Sequence, residues 1–396
     1  MNPLQSPRVQ LALWVMLGLN LGLGIGVLMH FMQVTGNPPG GDFVAFWAAA
    51  RLAVLDRAAD ACQLTLLAAQ QDLAWPGMSK HPAWFYPPLY QLLLLPLGGL
   101  GYLAAYATFA ITTSTLFVAS LRRSLPLAGG LILLLAFPGL WRNLLDGQNG
   151  LLTAALAAFC LFQHQRHPGL AGVSLGLLAI KPQLGLLMPL WLLQHGAWRT
   201  LTTAAATVIL LAMASTLVLG VSVWDCLGSG LMQARAYLEQ GIPVHRLASV
   251  FGLMRGIDAS LAVSWCVHLL IALLAGLATL RIWMLTSDRD LQIAALVAGT
   301  LLLSPYLFDY DTAWLMLAMV ALLRHAAGTG AWLPGERLWL ALAWLSPLYP
   351  QLPLVVLAGK SLQPAPLLAL MLLVLVMRRI RTELPSGYKN CVQNTL

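Results

Sequence analysis

Residues 11–33 run for 23 positions without a single Asp, Glu, Lys or Arg. About 20 such residues suffice to cross the hydrocarbon core of a bilayer as a helix, and apolar runs of this kind recur as far as residue 377. Only 9% of the 396 residues are charged and 59% are hydrophobic. A soluble domain carries about 25% charged residues, so too few polar groups remain here to cover a water-facing surface. The chain therefore reads as an all-α polytopic membrane protein. It lacks the alternating ten-residue segments of a membrane β-barrel. Its net charge of +8 does not point to nucleic acid, because membrane proteins collect Lys and Arg in cytoplasmic loops.

The run 11–33 is long for a secretory signal core and has no small-residue cleavage site, so it reads as a retained anchor. The loop after it, 34–84, contains two stretches with helical periodicity and mixed faces, 43–55 and 62–75, which predict helices lying along the interface. The segment 85–99, FYPPLYQLLLLPLGG, is bounded by Pro88, Pro96 and Gly98-Gly99, and its apolar part is short for a crossing. If it crossed, Arg122-Arg123 and every later basic loop would fall outside. If it dips in and returns, the basic loops fall inside one after another, as the positive-inside rule requires. The second reading gives twelve spans: 11–33, 101–121, 125–140, 151–162, 170–180, 184–193, 201–219, 261–284, 291–303, 312–323, 338–348 and 354–377. Pro364 and Pro366 move the start of the last one later. Thirteen of the 22 Lys and Arg then lie inside and nine outside. Both termini are expected in the cytoplasm and the chain in a bacterial inner membrane. Residues 1–383 form one membrane domain, with outer loops at 34–99 and 220–260 and a polar tail at 384–396.

This topology collects the polar interruptions on one side. Asp42, Asp146-Gly147-Gln148-Asn149-Gly150, Lys181-Pro182-Gln183, the loop 220–260 and the run Ser304 to Asp311 all fall on the extracytoplasmic face. Each has a plain structural reading beside a functional one. Asp42 is placed to cap the helix that begins at Phe43, but an acid at that depth is costly unless it has a use. Gln148 and Asn149 suit a tight turn. Lys181 could snorkel to the interface or meet an anionic ligand. Asp309 and Asp311 flank Tyr310 at a helix entrance, where one of them could cap. Arg51 and Arg57 suit lipid headgroups, and Arg235, His245 and Arg246 suit an anion or a solvated loop. The five cysteines form no CxxC pair and no metal-ligand spacing. Cys62 and Cys226 fall in loops of the same compartment, and whether they pair is left open. No Walker loop, GxGxxG, HExxH or GxSxG occurs.

GDF after the first span, FYPP closing the first outer loop, then GQN, KPQ and SPYLFDYD in this order resemble glycosyltransferase family 87. These are the polyprenol-phosphate-mannose-dependent mannosyltransferase-like proteins of the GT-C superfamily, and the resemblance runs from about residue 11 to 380. It implies a multi-span helical enzyme with juxtamembrane helices in its first outer loop and a catalytic acid there, a position matched by Asp42. It implies a sugar, by family default mannose, moved from a polyprenyl-phosphate donor to a hydroxyl of a glycolipid or glycan acceptor at the bilayer's outer face. Lys181, then Arg235, His245 and Arg246, would face the leaving phosphate. Gln148, Asn149, Tyr86, Gln183, Arg51, Asp309, Tyr310 and Asp311 are the remaining candidates for binding donor or acceptor. GT-C enzymes often carry a paired acid at the first loop, whereas Asp42 is followed by Phe43 and no further acid precedes Asp56. A divalent ion wants several oxygen ligands, so no metal and no cofactor are expected. The rival readings are a lipid or solute transporter, which should carry mid-span charges and paired broken helices, and another polyprenyl-linked glycan ligase or polymerase. The latter is kept open by Arg235, Arg246 and Arg255.

Overall fold

The computed structural model describes residues 3–30, 32–33, 36–125, 127–240, 244–351, 356–357, 360–361 and 363–383. The polar tail 384–396 lies outside the described residues. Contacts group the chain into two compact units, 2–242 and 243–396.

In the first unit, α1 (Pro7–His30) opens on a proline, whose missing N–H is not needed in a first turn. The outer-loop helices follow close to where the periodicity puts them: α2 (Phe43–Val54), a 3₁₀ turn (Ala58–Cys62) and α3 (Leu64–Ala74). Then comes α4 (Pro88–Gly98), about 17 Å long at 1.5 Å per residue and so too short to cross a bilayer. It lies against α2. The buried Gln91 of α4 donates to Ala49 O at 2.9 Å and Ala58 O at 3.0 Å, tying α4 to α2 and to the 3₁₀ turn together. The long α5 (Tyr102–Ser124) comes next.

Two expected spans turn out to be broken. The stretch 125–140 becomes α6 (Gly130–Leu135) and α7 (Pro138–Asp146), because Pro138 forces Phe137 into an extended backbone with ψ 119°. The stretch 184–193 becomes α10 (Pro182–Gly185) and α11 (Met188–Gln194). Between these breaks lie α8 (Gly150–Gln163) and α9 (Pro168–Leu177), and after them α12 (Trp198–Leu219). Helix α9 packs closely on α12 through Gly172 and Gly176. A Cβ at either position would come within 2.5 Å of Thr200 O or Thr207 Cβ, the small-residue spacing that lets membrane helices approach backbone to backbone. The segment 220–260, read as a loop, contains the 18-residue helix α13 (Val223–Gln240).

The second unit holds α14 (Val250–Gly256), α15 (Leu261–Leu285), α16 (Arg289–Leu303), a 3₁₀ turn (Asp309–Trp314), α17 (Leu315–Thr329), α18 (Glu336–Leu345) and α19 (Ala365–Glu383). Every residue from Leu291 to Leu302 of α16 is buried, since α15, α17 and α19 all pack on it. Helix α19 starts only after Pro364. Residues 352–355, 358–359 and 362, in the expected start of that span, lie outside the described residues, and 356–357 pair with 360–361 as a short antiparallel ladder. Glu336 and Arg379 form a buried two-bond ion pair between α18 and α19, both bonds 2.6 Å.

Helices α1, α5, α12, α15 and the segment Asp309–Thr329 are each long and apolar enough to cross a membrane. The first four leave most of their length unburied, with Leu19, Ile111, Leu217 and Leu277 more than half exposed. Such faces are unfavourable in water and solvated in lipid. The molecule is a multi-pass helical membrane protein. Twelve complete crossings are not what the described residues display, because proline breaks shorten several of the expected ones.

Candidate active site

The N-terminus of α2 and the turn between α7 and α8 meet in the first unit. The α2 turn is Gly40-Gly41-Asp42, and the facing turn is Asp146-Gly147-Gln148-Asn149. The backbone N–H of Asp42 donates to Asp146 O at 3.0 Å. Gly147 has φ +63° and ends α7 in the left-handed region that glycine favours. A Cβ there would lie 2.4 Å from Gly40 O and 2.5 Å from Phe43 Cβ, so the two turns touch backbone to backbone.

Asp42 occupies the N-cap position of α2 but makes no side-chain cap bond. Instead, Gln148 Nε2 donates to Asp42 Oδ2 at 3.0 Å, and Tyr86 OH reaches Gln148 Oε1 at 3.4 Å. Asp146, the other acid of the pair of turns, is engaged by Arg142 at 2.9 Å. The hydroxyl of Tyr106 donates to Leu144 O at 2.6 Å and that of Tyr102 to Pro39 O at 2.5 Å, so one tyrosine from α5 fixes each turn. Beneath them lies an aromatic cluster. Phe46 meets Tyr86 edge to face at 5.2 Å and Tyr90 at 5.3 Å, and Trp84 stacks on Tyr90 at 5.8 Å.

Asn149 opens α8 fully buried. Among the described residues its amide makes no hydrogen bond of good geometry, and the Tyr90 hydroxyl is a polar group it meets. Lys181 sits where a 3₁₀ turn (Leu178–Ile180) passes into α10, only 4% exposed, which rules out the snorkelling reading. The preceding Ile180 belongs to the same cluster as Phe46, Trp84 and Tyr90. Gln183 follows in α10, half-buried.

Other candidates are placed elsewhere within the unit. Arg51 lies nine residues along α2 from Asp42, about 13 Å at the helical rise, and donates to Gly98 O at 3.3 Å. Arg235 is exposed on α13 and pairs with Glu239 one turn on. In the second unit, Asp309 pairs with Arg246 at 3.6 Å and accepts the Tyr310 N–H at 2.9 Å. Asp311 accepts the Phe308 N–H at 3.2 Å. Both acids are buried, Tyr310 stacks on Phe308 at 5.2 Å, and His245 is exposed. Among the described residues no three His, Cys, Asp or Glu side chains gather in one place.

The arrangement offers a carboxylate held by a neutral amide, and a buried cation, Lys181, next in sequence to Ile180 of the apolar cluster. Tyr106, Tyr102 and the Arg142–Asp146 pair were not singled out from the sequence; the Asp-Gly and Gly-Gly steps were the only local signs of the turns they fasten. A family model described as glycosyltransferase family 87 matches residues 84–305, more than half of the chain. The matched segment contains the FYPP, GQN and KPQ motifs and residues 235–246, whereas Asp42 and Asp309–Asp311 lie outside it. No curated protein and no solved structure matches the chain.

Proposed function

The chain belongs to glycosyltransferase family 87, and from that premise we propose that it moves a single mannose from a polyprenyl-phosphate donor to a hydroxyl of a glycolipid or glycan. Membership in a glycosyltransferase family sets the transporter reading aside. The supporting observation is the carboxylate of Asp42. It is not used to cap its own helix and is held by Gln148, a residue of the matched segment.

In this reading the donor's tail lies in the bilayer, with its sugar and phosphate at the extracytoplasmic face. Asp42 accepts the acceptor's hydroxyl proton as that oxygen bonds to the anomeric carbon. The bond from the anomeric carbon to the phosphate oxygen breaks on the opposite face, and the phosphate leaves as a stable anion without needing an acid. One base and a leaving group on opposite faces give inversion. Lys181 is the cation assigned to the growing charge on the phosphate. Gln148 holds the base with Tyr86 behind it, and Gln183 and Asn149 are left for sugar hydroxyls or phosphate oxygens. The reaction needs no metal, because a monophosphate leaving group demands less charge compensation than a pyrophosphate.

Purified protein supplied with polyprenyl-phosphate-mannose and a crude glycolipid extract should release polyprenyl phosphate, and a chelator should leave the rate unchanged. Asp42→Asn should lower the rate by about 10²–10⁴-fold, the usual contribution of a general base. Near-normal release by a well-expressed Asp42→Asn protein would remove Asp42 from the chemistry.

A further inference from the structure

Both cysteines of the expected outer loops are free thiols in this structure, Cys62 half-buried and Cys226 buried. They lie in contact. Helix α13 packs on the 3₁₀ turn that ends at Cys62, Cys62 Sγ donates to Ala59 O at 3.1 Å, and the Cys62 thiol is close enough to act electrostatically on that of Cys226. Independent contacts hold the same two segments together. Gln233 of α13 donates to Cys62 O at 3.4 Å. Val223 of α13 packs with Ala58 of the turn and Ala53 of α2 in a small apolar cluster. The fold therefore brings the two cysteine-bearing segments together with no crosslink between them.

We propose that Cys62 and Cys226 are a disulfide-forming pair that fastens the first outer loop to α13. The inference rests on the reading above that places both segments outside the cytoplasm, in a compartment where disulfides persist. The oxidant is a disulfide of the dithiol-oxidase class. Cys62, the more exposed thiol, attacks it as the thiolate and releases one oxidant sulfur as a thiol. The Cys226 sulfur then displaces the second oxidant sulfur from Cys62. Two protein thiols are oxidised, one disulfide is reduced to two thiols, and the two protons pass to the leaving sulfurs. Burial, and then the neighbouring Cys62 thiol, push the Cys226 thiol above its usual range, which leaves the first attack to Cys62 and the second, intramolecular step to Cys226. The crosslink would act beyond its own turn. Ala58, four residues before Cys62, is held by Gln91 of α4, and the same Gln91 amide holds Ala49 of α2, the helix whose N-terminus carries Asp42.

The test counts thiols on the full-length protein. Membranes are quenched with acid, denatured, and treated with a maleimide-polymer mass tag before and after reduction. Wild type should gain two tags on reduction, Cys62→Ser and Cys226→Ser should gain none, and a peptide pair joining Cys62 to Cys226 should appear in the non-reduced digest. Equal tagging before and after reduction would overturn the proposal. Cys62→Ser suffices if Cys226→Ser, a buried change, does not accumulate. A Lys80→Cys reporter in a cysteine-free background is treated with an impermeant maleimide in intact cells. Free thiols with Lys80→Cys labelled from outside would sink the disulfide alone, and free thiols with it protected would sink the sidedness too.

Discussion

Asp42 stands at the N-terminus of α2, where an aspartate ordinarily accepts an N–H two or three residues on and stabilises its helix by about 1 kcal/mol. Here the side chain turns to Gln148 instead. A hydrogen bond to a charged group is worth about 1.5–3 kcal/mol. Gln148→Leu should therefore lower turnover by roughly ten- to a hundredfold, at 1.4 kcal/mol per factor of ten, with KM for the donor changing less. Tyr86→Phe removes the longer 3.4 Å contact and should cost about two- to threefold. Gln148→Glu places a second carboxylate beside the first, which raises the apparent pKa of the pair. The acid limb of the pH–rate profile should move upward in that variant, a shift that a purely structural Asp42 would not produce. Asp42 and the GQN motif were visible in the sequence as separate interruptions. That they are hydrogen-bonded partners was not, because 106 residues separate them and no local pattern encodes such a pairing.

At the scale of elements, the helices of the first outer loop were legible because their apolar residues repeat at helical spacing, and α2 ends within a residue of the expected boundary. The breaks at Phe137–Pro138 and at 182–189 were not. Continuous apolar composition hides where a helix stops when lipid and protein interior favour the same side chains, and prolines that would mark a boundary in a soluble protein are tolerated within membranes. Helix α13 was missed because Gly228-Ser229-Gly230 in its middle reads as a turn, although Leu231 and Met232 lie on its exposed face. The docking of turn on turn depends on Gly147, where a side chain meets both a left-handed backbone and Gly40 O. Gly147→Ala should lower the thermal midpoint of the detergent-solubilised protein and abolish transfer, whereas Gly196→Ala, also at positive φ but with open space around its Cβ, should only lower stability modestly. A second element-level device is Asp288, the N-cap of α16. It accepts the Leu291 N–H at 3.0 Å and lies 2.9 Å from His325 Nδ1. Burial raises its pKa, but the hydrogen bonds from His325 and from the Leu291 and Asp290 backbones outweigh it and hold the carboxyl below 3.8. A depressed carboxylate contributes stability that is fully present above its unfolded pKa and lost as pH falls through its folded one. Asp288→Asn keeps the cap but not the charge. Its thermal midpoint should lie below that of wild type near neutrality, and the gap should close in acid below pH 3.8.

For the whole molecule, the membrane class followed from composition alone, and the five full-length apolar helices agree with it. The number of crossings was harder to read, since a count of apolar runs cannot distinguish a crossing from a helix pair broken at proline. Sidedness is open to a direct check. The basic residues around the α15–α16 turn predict a cytoplasmic position. A Ser287→Cys reporter in a cysteine-free background should react with an impermeant maleimide only after the cells are permeabilised, and reaction in intact cells would reverse the assignment. The contact between Gly40 and Gly147, joined by the bond from Asp42 N–H to Asp146 O, has a consequence for how such an enzyme tolerates its surroundings. Membrane helices tilt and slide as bilayer thickness changes. Because the turns that carry Asp42 and Gln148 are fastened main chain to main chain, helices α2 and α7 must move as one piece wherever this pair of turns goes. Thicker or thinner lipid would then alter how readily a donor arrives, while the spacing between carboxylate and amide stays constant.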